Sequence, residues 1–510
     1  MFATINGIGL FGMSTFPVGA EISVTPGLPG FDIIGLPDLA VQESKARITA
    51  ALVNTGVTLP GKKLVVNLAP ASVRKTGSSY DLTILTAILA ALDIVKIDTG
   101  KSVFVGELSL GGGLLPVNGS LTMALSAKKS GMSEIFLPEA NAREASVAGG
   151  IKIFGVRNVH ELILHLTGQK SIVPAPPFTP EDSVYDAMLD FSDVRGQESV
   201  KQAIEAAAAG FHNILMIGPP GTGKSMIAKR ISSILPEMTF DESVETTQVF
   251  SVAGLLDPAR PLMTSRPFRA VGHTSSAAGL IGGGSVPKPG EISLATGGVL
   301  FLDELPEFDR RTLETLRQPL EDGVIHISRA GGKSTYPCNF MLVAAMNPCP
   351  CGNYGHPVKK CTCSDKQVNA YLSKISGPVL DRIDIQAEVN SVSYDNLSEM
   401  KKSEESRFIR ERVMRAREIQ AERFRAAGLN ITANAKIPSG MLHEICRLSD
   451  DASTLIRVAF ERLGLSARAY DRVLKVARTV ADLSASEMIT REHAARAIQY
   501  RSLDKKYWKR

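Results

Sequence analysis

The distribution of apolar positions divides the chain into three regimes. Over residues 1–171, short β-rich runs (AEISV, FDIIGL, KLVVNL, SVFVGEL) alternate with stretches of helical periodicity, among them LAVQESKARITAALVNTG and YDLTILTAILAALDI. That alternation predicts an α/β domain. The longest uncharged apolar run, Leu82 to Leu92, is too short to cross a bilayer and reads as a buried helix. Residues 172–189 open with IVPAPPFTPEDS, whose closely spaced prolines predict a stiff, extended linker. Apolar strands and helices alternate again over 190–392, which predicts a second α/β domain. From 393 to 510 the pattern turns helical, with a polar charged stretch to 427 and then amphipathic segments around MLHEICRLS, ASTLIRVAFERL, ARAYDRVLKVARTVADLS and REHAARAIQYR.

A 510-residue chain has room for about three domains, and 44% hydrophobic residues supply the cores. The N-terminal MFATINGIGLFG has no basic segment ahead of its apolar residues. No signal peptide is expected, and with no membrane span the expectation is a cytoplasmic protein.

The chemistry enters at residues 218–225, GPPGTGKS, between the apolar run Ile214 to Ile217 and the helix-like MIAKRISSIL. This is a phosphate-binding loop in its required setting. Gly218, Gly221 and Gly223, with Pro219, Pro220 and Thr222 between them, let backbone N–H groups curl toward phosphates. Lys224 supplies a point charge for the outer phosphates, Ser225 a hydroxyl ligand for Mg²⁺, and the helix that follows adds its positive end. ATP and Mg²⁺ are therefore the expected ligands. Further along, GVLFLDE (298–304) is an apolar strand ending in two acids, suited to delivering Asp303 to Mg²⁺ and Glu304 to an attacking water. FMLVAAMNP (340–348) is another apolar strand, ending in Asn347, which is placed to hydrogen-bond a γ-phosphate or the water. Arg382, after a turn expected at Gly377-Pro378, is a candidate arginine finger toward a neighbouring subunit. Arg468, opening a C-terminal helix, is a candidate reporter of phosphate state in its own chain. Structural salt bridges are the alternative for both.

Charge and cysteines each add a feature. The net charge is +5, yet residues 401–510 hold 24 Lys and Arg against 14 Asp and Glu. A dense run (Arg407, Arg410, Arg412, Arg415, Arg417, Arg423, Arg425) falls on one long helix, either as a solvated face or as a contact for a phosphate backbone. Cys349, Cys351, Cys361 and Cys363 form C-x-C-x9-C-x-C. Four thiols so close together in a reducing compartment suit a tetrahedral structural Zn²⁺, with free or redox-active thiols as the alternative. Cys338 and Cys446 stand apart and read as core residues.

Taken in order, GPPGTGKS, GVLFLDELPEF, LRQPLEDG, AAMNPCPCG, LDRIDI and LSARAYDR resemble the magnesium-chelatase-related branch of AAA+ ATPases, and more closely its ComM/YifB group. The similarity extends to GLPGFDIIGLPDLAVQESKARI and VNLAPASVRKTGSSYDL in the first domain, so it covers nearly the whole chain. The resemblance implies an AAA+ ring, expected to be hexameric, with nucleotide between subunits, and ATP-driven translocation on branched DNA in natural transformation or recombination. It implies an insertion in the second helix of the ATPase core, over 269–293, and a second pore loop over 324–337. The latter alternates like a hairpin around Gly331-Gly332, with Arg329 and Lys333 near its tip as candidate DNA-binding residues. Val271-Gly272-His273 and Thr296-Gly297 depart from the group, which carries further histidines there.

The first domain also resembles the proteolytic domain of Lon-type proteases, with Ser79 at the nucleophile position. Leu121 stands where the family has its lysine, however, and a serine without a base is a weak nucleophile. The expectation is a Lon-like α/β domain without a catalytic dyad, then the linker, a P-loop core with a parallel sheet, and a helical lid. Other functions consistent with the sequence are a chelatase-type or protein-remodelling ATPase and, disfavoured by Leu121, an ATP-dependent protease.

Overall fold

The computed structural model describes residues 1–179, 189–284, 286–329, 332–356, 359–390 and 403–508. Much of the expected linker, the expected boundary at 392 and Gly331 lie outside these residues.

The first domain is built on seven strands: β1 (Phe2–Phe11), β2 (Ser14–Thr25), β3 (Gly30–Ile34), β4 (Lys63–Ala69), β5 (Ser102–Phe104), β6 (Glu134–Pro138) and β7 (Lys152–Val156), ordered β3-β4-β2-β1-β5-β6-β7. Helix α1 (Leu39–Asn54) starts where Asp38 accepts a hydrogen bond from the Val41 N–H, satisfying one orphan donor of its first turn. The apolar run forms α2 (Asp81–Ala91), which is buried except at Ala90. A Cβ on Gly7 of β1 would stand 2.6 Å from Thr83 Oγ1, so this glycine lets strand and helix meet. Helices α3 (Ser120–Lys129) and α4 (Glu139–Ser146) follow. The linker is not free where it is described. The Ala175 N–H donates to Ile153 O, and Phe178 packs on the same domain's core.

The second domain runs α5 (Glu198–Gly210), β8 (Ile214–Ile217), α6 (Lys224–Arg230), α7 (Phe240–Ala253), β9 (Phe268–Val271), α8 (Ala277–Ile281), β10 (Gly282–Gly283), β11 (Lys288–Pro289), α9 (Glu291–Leu294), β12 (Val299–Leu302), β13 (Val324–Arg329), β14 (Gly332–Pro337), β15 (Met341–Met346), α10 (Asp365–Leu372), α11 (Gly377–Leu380) and β16 (Ile385–Glu388). Its main sheet, ordered β9-β12-β15-β8-β16, is parallel throughout. The central strands are buried at every residue, which is why they read as unbroken apolar runs. The lid comprises α12 (Ser406–Ala426), α13 (Asp450–Leu463), α14 (Ala467–Leu483), α15 (Arg491–Gln499) and α16 (Leu503–Trp508).

Three expectations are corrected here. The insertion does not begin at 269, because residues 268–271 are the edge strand β9, paired with β12. Between α8 and α9 the chain forms the β10–β11 hairpin. Gly377-Pro378 is the first turn of α11 rather than an isolated turn, since proline is tolerated where no helical N–H is needed. The arginine run of α12 is partly consumed inside the protein: Arg412 pairs with Glu205 and Glu404, Arg423 with Asp482, and Arg417 donates to Thr432 O.

The first domain is fastened to the second. Ser251 on α7 accepts from the Gly119 N–H at 2.9 Å and donates to Glu144. The β1–β2 turn reaches the β13–β14 hairpin, where the Met13 N–H donates to Ser334 Oγ at 3.2 Å.

Candidate nucleotide site

Three loops converge at the carboxyl ends of adjacent parallel strands, the usual ligand position in an open α/β sheet. The phosphate loop leaves β8, Asp303 and Glu304 leave β12, and Asn347 leaves β15. Gly221 and Gly223 adopt φ of +78° and +86°, open to glycine at little cost. A Cβ on Gly218 would come within 2.1 Å of Val389 O, so only glycine lets the loop pass β16. Lys224, nearly buried, donates to Gly218 O at 2.7 Å, Pro219 O at 2.8 Å and Asn347 Oδ1 at 3.1 Å. Burial lowers its pKa, and the neighbouring charges of Asp303 and Glu304 work against that shift. The Ser225 hydroxyl donates to Asp303 Oδ2 at 2.5 Å. A hydroxyl and a carboxylate sharing one locus beside a loop of backbone N–H groups is a donor set that fits Mg²⁺ and a triphosphate.

Glu304 is half exposed and sits at φ +53°, a left-handed conformation unusual for a side-chain-bearing residue. Its N–H donates to Asp303 Oδ1 at 2.9 Å, which holds the two acids in fixed relation. His273 Nδ1 lies 3.2 Å from Glu304 Oε2. No motif in the sequence announces this pair. It depends on the β9–β12 register, Val271 opposite Leu302, which carries the loop after β9 alongside the acids.

Arg382 and Arg468 line one cavity together with Asn213, Asp384 and Arg472. Asn213 precedes β8 and Asp384 precedes β16, so the cavity lies at the amino ends of strands whose carboxyl ends carry the phosphate loop. A four-residue strand spans about 13 Å, beyond an arginine's reach. Arg468 thus lies toward the other end of these strands from its own chain's phosphate loop. Arg382 is nearly buried, donating to Arg317 O at 3.1 Å and Pro378 O at 2.8 Å and pairing with Glu321. Arg468 is exposed.

The four clustered cysteines come together just beyond Asn347, all sulfurs lying within 4.8 Å of one another, a geometry that could hold a metal ion. Arg329 and Lys333 are exposed on the β13–β14 hairpin. Leu121 is buried in α3, and Lys128, the next lysine along that helix, donates to Ala148 O.

Fold and site together define an AAA+ ATPase core with a helical lid. Residues 190–397 match the family described as magnesium chelatase, subunit ChlI, residues 20–141 match subunit ChlI of Mg-chelatase, and residues 403–501 match the ChlI C-terminal family. The chain is 42% identical over 492 residues to competence protein ComM of Haemophilus influenzae, covering 95% of this chain and 94% of ComM. It is 41% identical over 499 residues to YifB of Escherichia coli, covering 97% of this chain and 96% of YifB. The chain belongs to the magnesium-chelatase-like family, in its ComM/YifB group. A stretch of 151 residues, 28% of the chain, is 29% identical to Lon protease 2 of Bacillus subtilis and covers 26% of that protein. No helix among the described residues is long and apolar enough to cross a membrane.

Proposed function

We propose that this ATPase is a ring-forming motor, a homo-hexamer, that moves DNA by branch migration in natural transformation or recombination. The observation that carries the reading is the convergence of two hairpins on the nucleotide domain. Tyr336 on β14 donates to Pro287 O of the insertion at 2.6 Å, and the Arg329 guanidinium would stand 3.2 Å from a Cβ on Gly283. Arg329 and Lys333 are exposed on these paired hairpins, and cations there suit a sugar–phosphate backbone. The name of the relative ComM, a competence protein, points the same way.

Within this reading Lys224 orients the outer phosphates, while Ser225 and Asp303 hold Mg²⁺, which supplies charge neutralisation on them. Glu304, steadied by its N–H to Asp303 and by His273, takes the proton of the attacking water. Asn347 fixes Lys224 and the γ-phosphate side of the site. Arg382 and Arg468 act on the nucleotide of the neighbouring subunit. ATP, Mg²⁺ and a Zn²⁺ at the four cysteines are the bound groups. The first domain, with Leu121 at the lysine position, serves as a collar on the ring.

ATP hydrolysis measured with and without branched DNA tests the proposal. Stimulation by DNA that is lost in Arg329→Ala/Lys333→Ala, with basal hydrolysis retained, supports it. Hydrolysis indifferent to DNA in the intact protein rules it out and favours the protein-remodelling alternative.

A further inference from the structure

We infer that the four-cysteine module is a metal-held cap on the phosphate loop, so that zinc occupancy sets the affinity for nucleotide. The inference rests on the nucleotide site and the zinc assignment proposed above, and it concerns what the metal does for the ATPase.

Three sulfur separations, Cys349–Cys351 at 3.4 Å, Cys351–Cys361 at 3.5 Å and Cys349–Cys361 at 3.7 Å, are too long for disulfides. They approach the edge of about 3.8 Å that follows from tetrahedral Zn–S bonds of 2.3 Å. The described residues between 349 and 363 form neither helix nor strand, so few backbone hydrogen bonds hold them in place. One C-x-C pair begins two residues after Asn347. The other ends at Cys363, next to Ser364, whose hydroxyl caps α10 by accepting from the Gln367 N–H at 3.3 Å. An ion shared by the two pairs therefore joins the end of β15 to the start of α10.

The module touches the nucleotide site directly. Gly352, at φ +79°, lies so close to the phosphate loop that a Cβ there would stand 2.4 Å from Pro220 Cδ. On its other side the Tyr354 ring meets Tyr507 of α16 at 6.4 Å. Tyr507 neighbours Trp508, whose Nε1–H donates to Leu372 O at the end of α10, and Lys506 pairs with Glu388 at 2.6 Å. Pro220, the cysteines, α10 and the C-terminal helix thus form one contiguous unit. If the metal is removed, the loop carrying Gly352 loses the link that presses it against Pro220.

The full-length protein allows the metal and the nucleotide to be read separately. Elemental analysis is expected to give about one zinc per chain, lost in Cys361→Ser/Cys363→Ser, and cobalt substitution to give the absorption of a tetrahedral four-sulfur site. Removing zinc with a strong chelator under reducing conditions should weaken binding of a fluorescent ADP analogue about tenfold. Affinity should return when zinc is restored, with a matching change in emission from Trp508, the single tryptophan of the chain. Gly352→Ala should keep its zinc and still bind the analogue about tenfold more weakly. Absence of zinc from the intact protein overturns the metal site. Zinc loss that leaves nucleotide affinity within about twofold overturns the cap. A zinc-loaded intact protein that binds no nucleotide overturns the ATPase reading and leaves the metal site standing.

Discussion

Mixing two inactive variants tests whether the ATPase site is shared between subunits. Lys224→Ala removes the ammonium held by Gly218 O, Pro219 O and Asn347 on the phosphate loop. Arg382→Ala removes a guanidinium at the amino ends of the strands, at the opposite end of the sheet from that loop. An arginine finger contributes roughly 10³- to 10⁵-fold in rate, so rings of either variant alone should be nearly inactive. In a one-to-one mixture each interface draws its loop from one subunit and its finger from the next. The chance that the loop comes from an Arg382→Ala subunit and the finger from a Lys224→Ala subunit gives about one quarter intact interfaces, whatever the ring size. Steady-state phosphate release should therefore rise to about one quarter of the wild-type rate after the variants are mixed and allowed to exchange. If Arg382 instead serves only its ion pair with Glu321, no interface is repaired, and a mixture no faster than the mean of its parents refutes the shared site.

Other consequences follow from single residues. Glu304→Gln should retain nucleotide affinity while kcat falls roughly 10²- to 10⁴-fold, measured by fluorescent-nucleotide binding and phosphate release. His273→Ala, which removes the partner 3.2 Å from Glu304, should lower kcat by less and leave binding unchanged in the same assays. Asp384 is buried, and although burial opposes ionisation, Arg472 and His212 hold its pKa well below the usual carboxylate range. Its native pKa is depressed, so its contribution to stability is present above about pH 4, the unfolded value, and is lost as the pH falls through the native one. Asp384→Asn should cost about 3–5 kcal/mol at neutral pH and flatten the acid limb of a urea-unfolding pH series. Arg329→Ala/Lys333→Ala should weaken DNA binding similarly across sequences and reduce the slope of log K against log salt by about 0.9 for each phosphate that is no longer neutralised.

The loops of the candidate site are legible in the sequence because each ends an apolar run: GVLFLDE and FMLVAAMNP announce buried parallel strands, and their terminal polar residues fall together at the carboxyl ends of those strands. Strand β9 is far less visible. It has only four residues, Phe268 to Val271, and carries a charge that finds its partner at a distance, Arg269 on Glu291. The placement of His273 beside Glu304 is hidden with it, because it depends on pairing between segments some thirty residues apart. The end of the sheet on which Arg382 and Arg468 sit is equally hidden, since strand direction fixes it and residue type does not. The arginine run of α12 is ambiguous for a similar reason. Glu205 and Asp482, which neutralise Arg412 and Arg423, are distant in sequence. Helix α16 carries no motif in the sequence, and its place becomes visible only where Tyr507 and Trp508 meet Tyr354 and Leu372.

The most direct test of a DNA motor is branch migration of a labelled four-way DNA junction by the full-length protein, followed on native gels with ATP, without ATP, and with Lys224→Ala. The account expects ATP-dependent conversion of the junction to duplex products by the intact protein and none by the variant. A protein that hydrolyses ATP at full rate yet leaves every junction intact would contradict it.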